Sequence, residues 1–369
     1  MTRTITVLPG DGIGPEVTES AVRVLKSIFK RFHHDVRFIE KRIGGAAIDQ
    51  DGTPLPRETV EQCESSDAIL LGAVGGPEWD KQSMDVRPEQ GLLGIRKALG
   101  LFANLRPVKA FAPLIDASPL KRSYVEQVDF VIVRELTGGL YFGKPSERRG
   151  RNHEQVVDTL AYSKNEIERV VEKAFQFAEK RRKKLVSVDK ANVLESSRMW
   201  REVVNEAAER HPEVEAGHML VDSTAMQLII NPAQFDVIVT ENMFGDILSD
   251  EASVIAGSLG MLPSASLRTD KVGLYEPVHG SAPDIAGQGK ANPLAAILSG
   301  ALLLRYSFDM DREAGLIEEA VQEVLERGYH TADLKISGSK AQSLSTTEMT
   351  DRVIDVIDEK CSVTEKKNR

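Results

Sequence analysis

The chain is poor in cysteine, in long apolar runs and in the usual phosphate-binding signatures, and each shortage narrows what it can be. Cys63 and Cys361 are the only two thiols in 369 residues. They stand far apart and in no metal or redox spacing, so no disulfide framework is expected and a reducing, cytoplasmic setting fits. No apolar run approaches the ~20 residues that a membrane span needs. Met1 leads into a strand-like run, Thr4 to Leu8, without a charged-then-apolar leader, so a cytoplasmic protein with no membrane association is expected. Positive charge is also short: 47 Lys and Arg stand against 56 Asp and Glu, for a net charge of -9. The one basic cluster, Lys180 to Lys184, closes an expected helix, where cations suit the helix dipole, so nucleic acid is not an expected partner. A glycine-rich turn, Pro9 to Glu16, follows the first strand and opens a helix, but Pro15 breaks the G-x-G-x-x-G spacing. No P-loop occurs either, so a nucleotide would have to be held by another device. Internal repeats and low-complexity segments are missing as well.

What is present suits a soluble two-domain enzyme. Hydrophobic residues make up 41% and charged residues 28% of a chain longer than one small core usually holds. Apolar runs at 35–40, Ala68 to Val74, Val128 to Val133, Leu185 to Val188, His218 to Val221 and Phe235 to Val239 read as strands. Helices are expected at 56–65, 89–99, from Ser163 (a capping box with Glu166) to about 182, at 194–210, from about 242, and at 292–306, 311–327 and 346–358. Thr224 and Gln227 are expected to cap the helix after Asp222, leaving that carboxylate outside it. Residues 140–163 alternate weakly and read as a β-ribbon excursion. The loop 75–88 is long enough to suggest function.

The most informative stretch is Thr240 to Glu251. On a helix Asp246 and Asp250 share one face, one turn apart, and like charges so placed destabilise it unless something offsets them. A solvated acidic face would do so. Ile247, Leu248 and the apolar continuation argue instead for burial, where carboxylates need a partner, and a hard divalent cation is one. Arg134, Lys190, Asp222 and the 240–250 stretch all lie just past strand ends, where open α/β sheets bind ligands. Three aspartates (Asp222, Asp246, Asp250) can supply oxygen ligands, and three arginines (Arg96, Arg106, Arg134) can clamp carboxylates. Lys190 and Tyr141 can move protons, helped by lowered pKa values among neighbouring cations. Together they describe a site for a small di- or tricarboxylate chelated through a metal. The small-residue loop His279 to Asn292, ending at a helix start, reads as a surface loop or as a wrap for a phosphate-bearing ligand.

Several segments carry a family resemblance: Gly10 to Glu16, Asn104-Leu105-Arg106-Pro107, Arg134 to Gly139, Val188-Asp189-Lys190-Ala191-Asn192, Asn242 to Asp250 and His279 to Gly287. In order, from about residue 5 to 340, they resemble the β-decarboxylating dehydrogenases, which act on isopropylmalate, isocitrate, homoisocitrate, D-malate and tartrate. The resemblance implies a two-domain α/β/α fold with a mixed sheet, not a Rossmann fold. One domain would comprise 1–106 and 258–369, the other 107–257 with a β-arm at about 140–163. It also implies a homodimer with shared active sites. Arg96, Arg106 and Arg134 would bind substrate carboxylates. Asp222, Asp246 and Asp250 would hold Mg²⁺ or Mn²⁺, with Asp222 near the substrate too. Lys190 would act as base and Tyr141 as acid, and Lys190 and Asp222 would come from the partner subunit. Gly75, Gly76, Pro77, Glu276, His279, Gly280, Ser281, Ala282, Pro283, Asp284, Ile285, Ala286, Gly287 and Asn292 would contact the cofactor.

Two positions choose within the family. NADP-using members resemble Lys-Tyr where this chain has Asp284-Ile285; a carboxylate there accepts from ribose hydroxyls and repels a 2′-phosphate, so NAD is expected. Isocitrate enzymes place Ser and Asn ahead of Arg96, where this chain has Glu89, Leu92 and Leu93. An apolar pair can bury an isopropyl group, worth roughly 1–3 kcal/mol of discrimination, with Val193 completing the pocket. The implied substrate is 3-isopropylmalate, an intermediate of leucine biosynthesis; D-malate, tartrate and homoisocitrate are the sibling alternatives. A non-catalytic regulatory subunit would lack part of the Tyr/Lys/Asp set, and a metal-dependent hydrolase would produce no NADH.

Overall fold

Runs that are apolar throughout can be covered on both faces, and this chain places them in parallel strands. Ala68–Ala73 and Val237–Thr240 are buried at every position. The computed structural model describes residues 2–83, 86–255, 257–334, 336 and 341–367. The chain divides into two compact units. One comprises Met1–Leu99, Phe111–Pro119 and Ala256–Arg369; the other comprises Gly100–Ala110 and Leu120–Ile255. The expected boundaries, 106/107 and 257/258, differ from these by several residues and miss the short return to the first unit at 111–119.

The first unit opens with β1 (Arg3–Gly10), α1 (Gly14–Arg31), β2 (Val36–Glu40), α2 (Gly45–Asp51), α3 (Arg57–Glu64), β3 (Ala68–Ala73) and α4 (Pro88–Ala98). The second unit holds β4 (Ala103–Lys109), α5 (Arg122–Val125), β5 (Asp129–Glu135), β6 (Glu147–Arg149), β7 (Gln155–Val157), α6 (Lys164–Glu179), β8 (Lys184–Asp189), α7 (Glu195–Arg210), β9 (Glu215–Leu220), α8 (Val221–Ile230), β10 (Val237–Thr240) and α9 (Asn242–Ile255). The chain then completes the first unit with β11 (Pro263–Leu267), β12 (Gly273–Pro277), α10 (Leu294–Tyr306), α11 (Asp311–Glu326), β13 (Tyr329–His330), β14 (Gln342–Ser343) and α12 (Thr346–Lys367). Residues 84 and 85 of the loop expected to be functional lie outside the described residues.

In the first unit the strand order is β2-β1-β3-β12-β11, parallel except for the β11–β12 pair. In the second it is β4-β5-β10-β8-β9, parallel except for β4–β5. This is the mixed α/β architecture expected. Val17, Ala21, Val24, Leu25 and Ile28 form the buried stripe of α1. The capping box of α6 is present: the Glu166 carboxylate accepts from the Ser163 amide at 2.7 Å, and the Ser163 hydroxyl accepts from the Glu166 amide at 3.3 Å. β6 and β7 pair antiparallel within the region read as a ribbon, and five of their six residues are exposed.

Seven elements were not anticipated: α2, β4, α5, β11, β12, β13 and β14. β4 contains Asn, Arg, Pro and Lys, and β11 reads PSASL, so neither offers an apolar run, although β11 is buried at all five positions. Another expectation fails at Asp222. β9 ends at Leu220 and α8 begins at Val221, so Asp222 lies in the first helical turn. The Thr224 hydroxyl donates back to the Leu220 carbonyl at 3.0 Å, in place of a capping box with Gln227. α12 runs beyond the expected end at 358 to Lys367.

Asp11 shows how the loops of the first unit are tied. Its carboxylate accepts from the amides of Gly45, Ala46 and Gly75, each at 2.8 Å, with the side chain almost fully buried. Burial pushes its pKa up against the pull of those three donors. In Asp11→Ala all three amides lose their acceptor, so a loss of about 2–4 kcal/mol is expected in urea unfolding. A change below about 0.5 kcal/mol would show that the loops do not depend on it.

His211 ties α6 to the end of α7. It stacks on Phe175 at 4.9 Å, and its two ring nitrogens face Glu179 at 2.6 Å and Glu172 at 3.1 Å. Burial opposes protonation, but the two carboxylates outweigh it and the pKa is raised. A raised folded-state pKa stabilises fully below the unfolded value near 6.5, and the contribution disappears as pH rises through the folded value. The stability difference between wild type and His211→Gln should therefore be larger at pH 5.5 than at pH 8.5. Equal differences at both pH values would rule the pairing out as a source of pH dependence.

Candidate active site

The parallel register of the second unit brings its functional groups to one edge. Thr240 of β10 lies beside Arg134 of β5 on one side and Val188 of β8 on the other. The residues that follow, Glu135, Glu241-Asn242 and Asp189-Lys190, therefore leave the sheet at the same end. β4 runs antiparallel to β5 with Asn104 opposite Arg134, which places Arg106 two residues along the same strand.

Helix α9 crosses this end and supplies two carboxylates. Arg134 Nη1 donates to Asp246 Oδ1 at 2.5 Å, and Arg106 Nη2 donates to the same oxygen at 3.3 Å. Arg106 Nη1 also donates to Asp250 Oδ1 at 3.2 Å and to the Ser249 hydroxyl at 2.6 Å. Both guanidiniums are buried, at 9% exposure for Arg106 and 2% for Arg134. Gly245 makes the close crossing possible: a Cβ there would lie 2.6 Å from Arg134 Cγ. Tyr141, on the turn Gly139–Tyr141, donates its hydroxyl to Asp246 Oδ2 at 2.8 Å, and Arg134 lies over its ring at 5.7 Å. Gly139 adopts φ +73° with the Tyr162 hydroxyl 2.5 Å from where a Cβ would be, so only glycine fits that turn without strain.

Burial and the Asp246 carboxylate push the Tyr141 phenol up to about 12, opposite to the lowering expected from its cationic neighbours. The physical reason is contact: the carboxylate touches the hydroxyl, whereas Arg134 faces the ring. Burial also raises Asp250, with Arg106 partly offsetting it.

Lys190 and Asp222 form a separate pair. Lys190 Nζ donates to Asp222 Oδ1 at 2.6 Å, and this hydrogen bond lowers the Asp222 pKa. The three aspartates expected to share a cation are therefore not gathered within one chain. Among the described residues the one grouping of three with metal-ligand spacing is Glu179, His211 and Glu213. There the imidazole is held between carboxylates as already described. Val193, expected in an apolar pocket, is 63% exposed.

The first unit carries the other expected residues. α4 presents Glu89, Leu92, Leu93 and Arg96 along one face, at helical spacing. Arg96 donates to Glu276 of β12 at 2.7 Å in a buried ion pair, joining an expected substrate residue to an expected cofactor residue. Sequence spacing could not suggest this pairing. Arg96 Nε is buried without an acceptor among the described residues. The Glu89 carboxylate lies against Gly75, ahead of Gly76 and Pro77. In the loop after β12, Ser281 accepts from the Ile13 amide at 2.8 Å, which fixes the loop to the turn before α1. Ala282 has φ +37°, and Gly280 and Gly287 have no atom within 4 Å of a Cβ position, so bare backbone borders open space there. Asp284 and Pro283 are exposed, and Ile285 and Ala286 half-buried. His279 Nδ1 faces the Gly280 carbonyl at 2.9 Å, leaving a buried Nε2 without a partner among the described residues. Asn292 accepts from the Leu294 amide and donates to Asp333, both at 3.0 Å, so its amide fixes the loop itself.

Both expected ligand classes find suitable groups. Asp246 and Asp250 offer the hard oxygen donors that Mg²⁺ and Mn²⁺ take. The bare Nε2 of His279, the open glycine backbone and exposed Asp284 suit a ligand rich in hydroxyl and amino donors.

Comparisons with known proteins bear on the family and the fold. The family model for isocitrate/isopropylmalate dehydrogenase matches residues 4–353. A 3-isopropylmalate dehydrogenase from Heyndrickxia coagulans is 68% identical over 351 residues, with 95% of each chain covered. One from Priestia megaterium is 66% identical over 335 residues, covering 90% of this chain and 91% of that one. Among solved structures, isocitrate dehydrogenase from Methylococcus capsulatus superposes with a TM-score of 0.84 at 34% identity, covering 96% of this chain and 99% of that one. With buried arginines set against α9 carboxylates, a mixed α/β sheet and relatives matched over nearly its whole length, the chain belongs to the isocitrate/isopropylmalate dehydrogenase family.

Proposed function

We propose that the protein catalyses the NAD-dependent oxidative decarboxylation of 3-isopropylmalate to 4-methyl-2-oxopentanoate, a step of leucine biosynthesis in the cytoplasm. The observation that carries the reading is the set of groups at the strand ends of the second unit: Arg106 and Arg134 against Asp246 and Asp250, with the Tyr141 hydroxyl on Asp246. Relatives at 66–68% identity bearing the name 3-isopropylmalate dehydrogenase support the choice of substrate. On α4, Leu92 and Leu93 favour an apolar branch over a third carboxylate.

Arg96, Arg106 and Arg134 bind the substrate carboxylates, and bidentate geometry lets each orient as well as attract. Asp246 and Asp250, with Asp222 of a second copy, would hold Mg²⁺ or Mn²⁺. When bound, NAD⁺ would supply the hydride acceptor and the cation would offset negative charge on the hydroxy acid oxygens. Lys190 Nζ, as the neutral amine, takes the C2 hydroxyl proton. Tyr141 Oη, kept protonated by burial and by Asp246, returns a proton to C3 after CO₂ has left. Gly75, Gly76, Pro77, Glu276 and the loop from His279 to Asn292 receive the cofactor, and Asp284 favours NAD over NADP. The mutual pairing of Lys190 and Asp222, apart from the α9 carboxylates, supports a site completed by a partner subunit. So do Met226, Ile229 and Ile230 of α8 and Ile247 and Val254 of α9, apolar side chains half or more exposed that a homodimer interface would cover.

Initial rates with Mn²⁺ test the assignment. NADH should accumulate fastest with 3-isopropylmalate, with NADP⁺ a poor substitute. Equal kcat/KM for D-malate would overturn the substrate, and equal use of NADP⁺ would overturn the role of Asp284. Lys190→Ala should lose hydride transfer by a factor of about 100 or more while keeping the thermal melt of wild type. Near-normal turnover in that variant would remove Lys190 from proton transfer.

A further inference from the structure

We infer that Asn242 is the positioning residue of the Arg134 clamp, holding its guanidinium fork through a neutral amide that adds no negative charge to that of Asp246; the inference rests on the carboxylate-binding role proposed for Arg134. Arg134 Nε and Nη2 both donate to Asn242 Oδ1, at 3.2 and 2.7 Å. One amide oxygen thus fixes one edge of the planar fork. Asp246 takes Nη1 at 2.5 Å, and Gly245 leaves room for the stem. With two edges determined, the side chain has one orientation, and a carboxylate meets it without first paying to order a flexible chain.

The amide is itself held on every side. Its Nδ2 donates to the Gly138 carbonyl at 3.1 Å, which settles which end is oxygen. Its backbone amide donates to the Tyr162 hydroxyl at 3.1 Å. That hydroxyl in turn faces Glu135 at 3.2 Å and Glu241 at 3.4 Å. Glu241 caps α9 by accepting from Met243 at 3.2 Å and Phe244 at 2.8 Å. Glu135 accepts from the Thr137 and Gly138 amides at 2.9 and 2.8 Å. Asn242 is 1% exposed, so its Oδ1 orientation is fixed by the fold and not by solvent.

The chemical choice is what marks the residue as more than packing. A carboxylate of the same shape could accept from the fork, but it would face the Gly138 carbonyl with no proton to donate, and its negative charge, added to that of Asp246, would repel an incoming anion at close range. An amide orients without adding a second negative charge beside Asp246. Asn242→Asp tests this, because it keeps shape and adds charge, while giving up the bond to Gly138. KM for the hydroxy diacid should rise about 10-fold or more, with kcat within about threefold of wild type. In an Arg134→Lys background, which lacks the fork, Asn242→Asp should add little further rise. Asn242→Ser shortens the side chain, so that its oxygen no longer reaches the fork and the bond to Gly138 is lost as well, without adding charge; its KM should lie between wild type and Asn242→Asp, and it also serves if the aspartate variant does not fold. An unchanged KM in both variants, a loss confined to kcat and melting temperature, or an undiminished KM effect without the Arg134 fork would each overturn the inference. Absence of turnover in wild type would instead overturn the proposed reaction.

Discussion

Two buried guanidiniums set against two carboxylates of one helix face are the constraint on which the second unit depends. Neither half is stable alone. Arg106 and Arg134 are nearly inaccessible to water, and a buried cation without a partner costs several kcal/mol. Asp246 and Asp250, one turn apart, repel each other on α9. Bringing the halves together satisfies both, and it fixes α9 across the ends of β4 and β5. The interaction that completes the fold is thus also the one that creates the candidate site.

This balance bears on what can enter. The arginines and the α9 carboxylates already offset one another, so a dianionic hydroxy acid arriving alone would leave excess negative charge beside Asp246 and Asp250. A divalent cation arriving with it restores the balance. The same reasoning explains why the group behind Arg134 is an amide: a further carboxylate at Asn242 would tip the site towards negative charge before any ligand arrived.

Much of this was legible in the sequence wherever the local signal was strong. Fully apolar strands such as Ala68–Ala73, the Ser163–Glu166 capping box and the shared face of Asp246 and Asp250 were all read from spacing alone. What escaped has a physical reason in each case. β11 alternates serine with proline, alanine and leucine, and its burial depends on neighbours distant in the chain. Asp222 joined a helix because Thr224 turned its hydroxyl back on Leu220. The pairing of Arg96 with Glu276 spans 180 positions, and nothing at either residue announces the other. Asn242 sat inside a recognised motif, but its task emerges only once β5 and α9 are seen side by side. The direction of the Tyr141 shift required knowing that a carboxylate, and not an arginine, touches its hydroxyl.

Because Asp246 and Asp250 are successive turns of the same helix, their spacing is set by helical pitch and not by the loops around them. Whatever displacement the strands beneath undergo, α9 can tilt or slide but cannot splay its own carboxylates. The two oxygens donors on that helix therefore travel as a rigid tool, and adjustments of reach during a catalytic cycle fall to the parts mounted elsewhere.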